Sequence, residues 1–366
     1  MSEASLCFSL SEEQQMIKDT ASQLVQDVIL DNAHQMDEDK TIPDEYLEKV
    51  WELGLSISPI PEEYGGYGME STPVLNAVVL EELSAGDMAF AIAAMLPSTV
   101  INTLLDSGTD GQKKKFLPPY CEGAYQAGTV AVNEPFFGFD AVNPATTAEK
   151  KGKNYILNGT KCFVPLADRA IHFLVSAMTD DGPSLFIIEK GSQGLSIGEK
   201  EKNLGIYALD TRQVQLEDCQ VSEENRIGGT EAFERFLQRS RIAISAIGTG
   251  VSRASYQYAC DYAKERMQFG EVIGNRQAVA FMIAEMAYEV DAMRLLTWKG
   301  ASVLQNDSDA RRDSYLAKLN AGDMSMKITD YGVQVLGGHG YVRDHPVERY
   351  YRNARGISIL EGLASV

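Results

Sequence analysis

Tyr155-Ile-Leu-Asn-Gly-Thr-Lys-Cys-Phe163 decides the fold class, because it sets β-type sequence in the middle of a chain whose two ends are helical in pattern. Tyr155-Ile-Leu reads as a short strand, and Asn158-Gly159 is a pair that punctuates strands. Around it, from about Gln126 to Val221, β-branched and aromatic residues alternate with polar ones. His172-Phe-Leu-Val-Ser, Ser184-Leu-Phe-Ile-Ile and Gln213-Val-Gln-Leu read as further strands, separated by Gly152, Asp181-Gly182 and Gly194. Short strands with frequent breakers predict a small β-barrel or sandwich inserted between helical regions.

Toward the N-terminus, Ser11 with Gln14 forms a capping box, and Ile17, Ala21, Leu24 and Val28 repeat at helical spacing. A second helix opens at Pro43, carries Tyr46, Leu47, Val50 and Trp51, and stops at Gly54. A loop with Pro61-Glu-Glu-Tyr-Gly-Gly66 follows, and the Ala, Leu and Val-rich stretch from Pro73 to Leu105 predicts packed helices. From about Glu231 onward, long helical patterns return, including Ile242 to Arg266, Gln277 to Leu304 and Ser314 to Leu336. The expected organisation is α+β: an all-α region over 1–125, a β domain over 126–230 and a helical domain over 231–366. A chain of 366 residues is longer than one core normally serves, so two or three packed units are expected.

With 33 basic against 52 acidic side chains the net charge is −19. That opposes nucleic-acid binding, which relies on basic neutralisation of phosphates. No apolar run approaches the ~20 residues of a membrane span, and Met1-Ser-Glu-Ala-Ser5 lacks the pattern of a signal peptide, so neither a membrane partner nor export is expected and the protein reads as cytoplasmic. Cys7, Cys121, Cys162, Cys219 and Cys260 stand far apart, which argues against disulfides and a cysteine-rich zinc site. His339 and His345 lack a third ligand at metal spacing and read as polar loop residues, so no metal is expected.

Several motifs fall in one order along the chain: Asn133-Glu-Pro-Phe-Phe-Gly-Phe-Asp140, Leu157-Asn-Gly-Thr-Lys-Cys-Phe163, Arg266-Met-Gln-Phe-Gly270 with Gln277, Gln334-Val-Leu-Gly-Gly-His-Gly-Tyr341, and Arg355-Gly-Ile-Ser-Ile-Leu-Glu-Gly362. Together they resemble the acyl-CoA dehydrogenase family over nearly the whole chain. Alone, Gly337-Gly338 would be an ordinary helix cap and Glu361 a solvated helix end; the shared register gives them the functional reading.

The resemblance implies a C-terminal four-helix bundle and an FAD-dependent reaction. The α-proton of an acyl-CoA thioester goes to a carboxylate, hydride goes from the β-carbon to the flavin, and a trans-2-enoyl-CoA remains. It implies that Glu361 is the base, in a dry site that favours proton transfer, with its N–H polarising the thioester carbonyl. Asn133, Phe163, Gln334, Gly337 and Gly338 are implied to contact the cofactor, Phe163 by packing on the isoalloxazine. Arg266, Phe269 and Gln277 are implied to hold the FAD of a neighbouring subunit, arginine's paired donors suiting the pyrophosphate. A homotetramer, or at least a dimer, follows. Phe139, Gln238, Arg241 and Gly362 fall where the family contacts substrate, with Arg239, Arg241 and Lys202 as local cations for the polyanionic CoA. Electron-transfer flavoprotein is the implied electron acceptor.

Departures from the family concentrate on the flavin. Hydroxyl-bearing positions are Phe139, Pro165 and Leu363, Gln238 replaces an aspartate, and Asn133 stands for the usual threonine. At about 1 kcal/mol per lost hydrogen bond, three losses loosen FAD by ~3 kcal/mol, on the order of 100-fold. Relatives also continue past the residues that follow Glu361 through a helix whose start touches the flavin. The competing expectation is therefore a non-dehydrogenating homologue, either a flavin-deficient subunit of a heteromer or an acyl-CoA-binding protein.

Overall fold

The computed structural model describes residues 10–306 and 308–366. Cys7 and the start of the chain lie outside them, and the other four cysteines are free.

The Ser11 capping box opens α1 (Glu12–Leu24): Ser11 Oγ accepts from the Gln14 N–H at 3.2 Å while Gln14 Oε1 accepts from the Ser11 N–H at 3.0 Å. After α2 (Ala33–Asp39), α3 (Asp44–Glu52) buries Leu47, Val50 and Trp51, the helical face read from sequence. The apolar stretch after Pro73 is two helices, α4 (Pro73–Gly86) and α5 (Met88–Ser107). The break falls at Asp87, whose carboxylate caps the Phe90 N–H at 3.0 Å. By length and composition α5 could cross a membrane, contrary to the sequence reading, but it is buried inside the protein. α6 (Asp110–Phe116) ends the region.

Strands β1 (Gly128–Ala131), β2 (Thr147–Lys151), β3 (Asn154–Pro165), β4 (His172–Thr179), β5 (Gly182–Glu189), β6 (Leu195–Lys200), β7 (Thr211–Ser222) and β8 (Arg226–Ile227) form one sheet in the order β6-β7-β3-β2-β4-β5-β8, with β1 parallel to β4. Only Thr147 and Met178 join β2 to β4, so two antiparallel halves meet at a narrow link. Asn158-Gly159 does not end a strand. It lies inside β3 at a bulge against β7, where a side chain on residue 159 would meet Thr146 Oγ1 at 2.4 Å.

The C-terminal region consists of α7 (Thr230–Glu265), the small hairpin β9 (Met267–Gln268) and β10 (Glu271–Val272), α8 (Gln277–Gln305), α9 (Arg311–Leu336), α10 (Gly338–Tyr341) and α11 (Val347–Ala354). α7 begins at Thr230, where the helical patterning returns, and Ala232, Phe233, Phe236 and Leu237 bury its first face. α7, α8 and α9 pack together, with α11 across α7 and α9. α4 joins this bundle through buried carboxylates: Glu82 pairs with Arg253 of α7 at 2.7 Å and Glu81 with Arg294 of α8 at 2.9 Å. That docking sets the helical layers against each other.

Candidate active site

Residues 358–361 are a wall between two cavities. Ile359 and Leu360 line a slot of about 260 Å³ together with Phe163, Leu204, Ile206 and Gly356. Ser358 and Glu361 line a second cavity of about 230 Å³, against Tyr315, Lys318, Gly322 and Asp323 of α9.

The wall is held from the β domain by Asn133. Its Nδ2 donates to the Ile359 carbonyl at 3.1 Å and its Oδ1 accepts from the Glu361 N–H at 3.0 Å. Asn133 is fixed in turn by its neighbours, because Lys161 Nζ donates to the Val132 carbonyl at 3.3 Å and to Glu134 Oε1 at 2.8 Å. Burial pushes the Lys161 ammonium down to about 8 despite Glu134. For Glu134, burial acts upward, but the Lys161 charge and the hydrogen bonds from Lys161 and Thr146 win and hold it below the usual carboxylate range. Next along the wall, Gly362 has φ +80°, and a Cβ there would meet Val132 Cγ2 at 2.6 Å, so glycine is what lets the chain cross Val132 this closely.

The Glu361 side chain is 13% exposed and faces cations. Its Oε1 lies 2.6 Å from Lys318 Nζ and 3.5 Å from Arg241 Nε. Oε2 is buried without a hydrogen-bond partner. The Arg241 guanidinium also stands 5.5 Å from the Tyr315 ring centre. Burial pushes the Lys318 ammonium below its usual range, against the pull of Glu361. Glu361 is thus a nearly buried carboxylate, ion-paired through Oε1 and unpartnered at Oε2.

The other candidate residues form a separate group. Gly337, at φ +59°, ends α9, and a Cβ on Gly337 or Gly338 would meet nothing within 4 Å, which leaves the turn open to a ligand. Tyr262 of α7 reaches His339 Nδ1 at 2.8 Å, and the Arg266 N–H continues from the Tyr262 carbonyl at 2.9 Å. Arg266, Phe269, Gln277 and Gln334 are thereby gathered at one end of the bundle with Gly337 and Gly338. Phe269 is 88% exposed, and Gln277 and Gln334 are exposed too.

Sequence profiles settle what this arrangement belongs to. The chain matches the acyl-CoA dehydrogenase N-terminal domain over residues 11–124, the middle domain over 129–219 and the C-terminal domain over 228–366. The chain belongs to the acyl-CoA dehydrogenase family. A short-chain specific acyl-CoA dehydrogenase of Clostridium acetobutylicum is 35% identical, over 98% of this chain and 97% of that protein. The butyryl-CoA dehydrogenase structure of Megasphaera elsdenii superposes with a TM-score of 0.89 at 30% identity, covering 98% of this chain and 96% of that one. A chain from a structure of the electron transferring flavoprotein of Acidaminococcus fermentans gives 0.88 at 34% identity, covering 98% and 96%.

Within the acyl-CoA dehydrogenase fold, several site expectations need correction. Glu361 opens on the α9 cavity and not on the Phe163 slot, because Lys318 and Arg241 draw it there. Its N–H is taken by Asn133 and is not free to polarise a carbonyl, and Asn133, with both side-chain ends engaged on the wall, acts as a clamp on it. Gln238 is buried with its Oε1 accepting from the Ala310 N–H at 3.0 Å, so it anchors the start of α9. Arg241 faces Glu361, and Arg239 is engaged by Asp106, its Nη2 2.8 Å from Oδ1. Phe139 is half-buried on the loop after Asn133. Lys318 was missed altogether, since a lysine within a long helix carries no local sign of what faces it.

The Phe163 slot has apolar walls from Phe163, Leu204, Ile206, Ile359 and Leu360, and Lys202, Asn203, Arg352, Asn353 and Arg355 also line it. Hydroxyls are absent where the family has them. Leu363 is buried, and the Pro165 carbonyl accepts from the Thr129 hydroxyl.

Proposed function

We infer that this chain carries out α,β-dehydrogenation of an acyl-CoA thioester, with Glu361 accepting the α-proton. The observation that supports this most is a nearly buried carboxylate with an unpartnered oxygen, on a wall whose other face lines the Phe163 slot. FAD, when bound, supplies the acceptor for the β-hydride. Phe163, Ile359 and Leu360 would pack on it, and Arg266, Phe269, Gln277, Gln334, Gly337 and Gly338 would reach a cofactor shared with a second subunit. Exposed Phe269, Phe281, Tyr288, Leu319 and Tyr341 supply apolar surface for a dimer or tetramer. Electron transferring flavoprotein is the proposed acceptor, and a short acyl-CoA the proposed substrate, as the relatives' names suggest. Those relatives do not favour the non-dehydrogenating alternative.

The test is anaerobic mixing of FAD-loaded protein with a panel of acyl-CoA thioesters. Bleaching of the flavin band by a short acyl-CoA supports the reading. Glu361→Gln should keep FAD and slow bleaching by about 10²–10⁴-fold or more, the usual worth of a general base. A colourless protein that takes up no FAD, or full-speed bleaching by Glu361→Gln, overturns it.

A further inference from the structure

Glu361 rests in an ion-paired position whose geometry has a chemical consequence. Lys318 of α9 and Arg241 of α7 both reach the same oxygen, at 2.6 and 3.5 Å, and the three side chains are 11–17% exposed. Besides these two cations, the groups facing the carboxylate's cavity are Tyr315, Asp323 and Ser358, and from the β domain Asn133 holds its backbone. The pairing keeps Glu361 on the α9 side, while its neighbours Ile359 and Leu360 face the Phe163 slot.

We propose that Lys318 is a positioning residue of the dehydrogenation: it parks the Glu361 carboxylate in the α9 cavity, and the base reaches substrate by rotating out of this ion pair. The proposal rests on the reading of Glu361 as the base. When Glu361 takes the α-proton it becomes neutral, leaving Lys318 and Arg241 as two adjacent cations with no counter-charge between them. Re-forming the ion pair with these cations therefore favours loss of the proton from Glu361. The acid balance is simple: one proton moves from the α-carbon to Glu361, then from Glu361 to solvent through the α9 cavity, while the hydride leaves with the cofactor. A lone buried carboxylate would hold that proton longer, because burial favours the neutral acid.

The experiment follows single-turnover flavin reduction by butyryl-CoA against pH in FAD-loaded wild type, Lys318→Gln, Lys318→Met and Lys318→Arg, with Glu361→Gln alongside. Removing an opposite charge at this distance should move the acid limb of the rate upward by about 1–3 pH units in the Gln and Met variants, and Lys318→Arg should restore it. The FAD-free protein gives a second readout, which also serves if a variant holds no FAD. Infrared spectra taken across pH, with Glu361→Gln identifying the band, should show the Glu361 carboxylate protonating at higher pH in Lys318→Gln. An acid limb and a carboxylate band both unmoved in Lys318→Gln overturn the role of Lys318 alone, provided Glu361→Gln is slow. A Glu361→Gln variant that reduces flavin at the wild-type rate overturns the base assignment, and the proposal with it.

Discussion

Asn133 Oδ1 accepts the Glu361 backbone N–H at 3.0 Å, so one amide of the β domain fixes the residue proposed as the base. The same amide donates to the Ile359 carbonyl, which makes the wall between the two cavities a β-domain structure as much as a C-terminal one. The register of Glu361 against the Phe163 slot is therefore set by a contact 228 residues apart in sequence.

Asn133→Ala should lower stability by about 2 kcal/mol, since it removes two hydrogen bonds and leaves a buried N–H without a partner. Asn133→Thr keeps one acceptor oxygen and should fall between the two. Thermal unfolding ranks the three proteins, and an alanine variant as stable as wild type would remove the clamp from this account.

Gly362→Ala combines a left-handed backbone with a Cβ 2.6 Å from Val132 Cγ2. The expected loss is about 1–3 kcal/mol, with the wall displaced from Val132. Urea unfolding measures the loss, and Val132→Ala in the same chain should recover part of it.

Lys161→Met leaves Glu134 buried without its cation and should cost about 3–5 kcal/mol. The double variant Lys161→Met, Glu134→Gln should recover much of that loss, because no uncompensated charge remains. A double variant no better than the single one, by denaturant titration, would show that packing and not charge decides this site.

His172 gives a pH dependence of known sign. Burial lowers it to about 4, against the pull of Glu189, while Tyr120 Oη sits 3.1 Å from its Nδ1. Because the folded value lies below the unfolded ~6.5, the unfolded chain binds more protons between these two pH values, and stability falls as pH drops through that window. The contribution is on the order of 3 kcal/mol, fully present above about pH 6.5 and lost by about pH 4. His172→Asn should flatten this part of the stability profile between pH 7 and 5, measured by denaturant titration; an unchanged slope would assign it to other groups.

Sequence alone determined the order of the layers, because local chemistry writes it. The Ser11 capping box, the α3 face of Leu47, Val50 and Trp51, and the alternating strands after Gln126 each depend on residues a few positions apart. It also singled out Glu361, Phe163 and Gly337, through motif order. Tertiary structure decided what those residues face. Asn158-Gly159 became a bulge inside β3 because Thr146 and β7 lie against it. Asn133 turned into a clamp, Gln238 into an anchor for α9, and Lys318 into the partner of Glu361. The energy of a buried charge depends on which charges lie within a few ångströms, and in a folded chain those come from distant helices that no local spacing encodes.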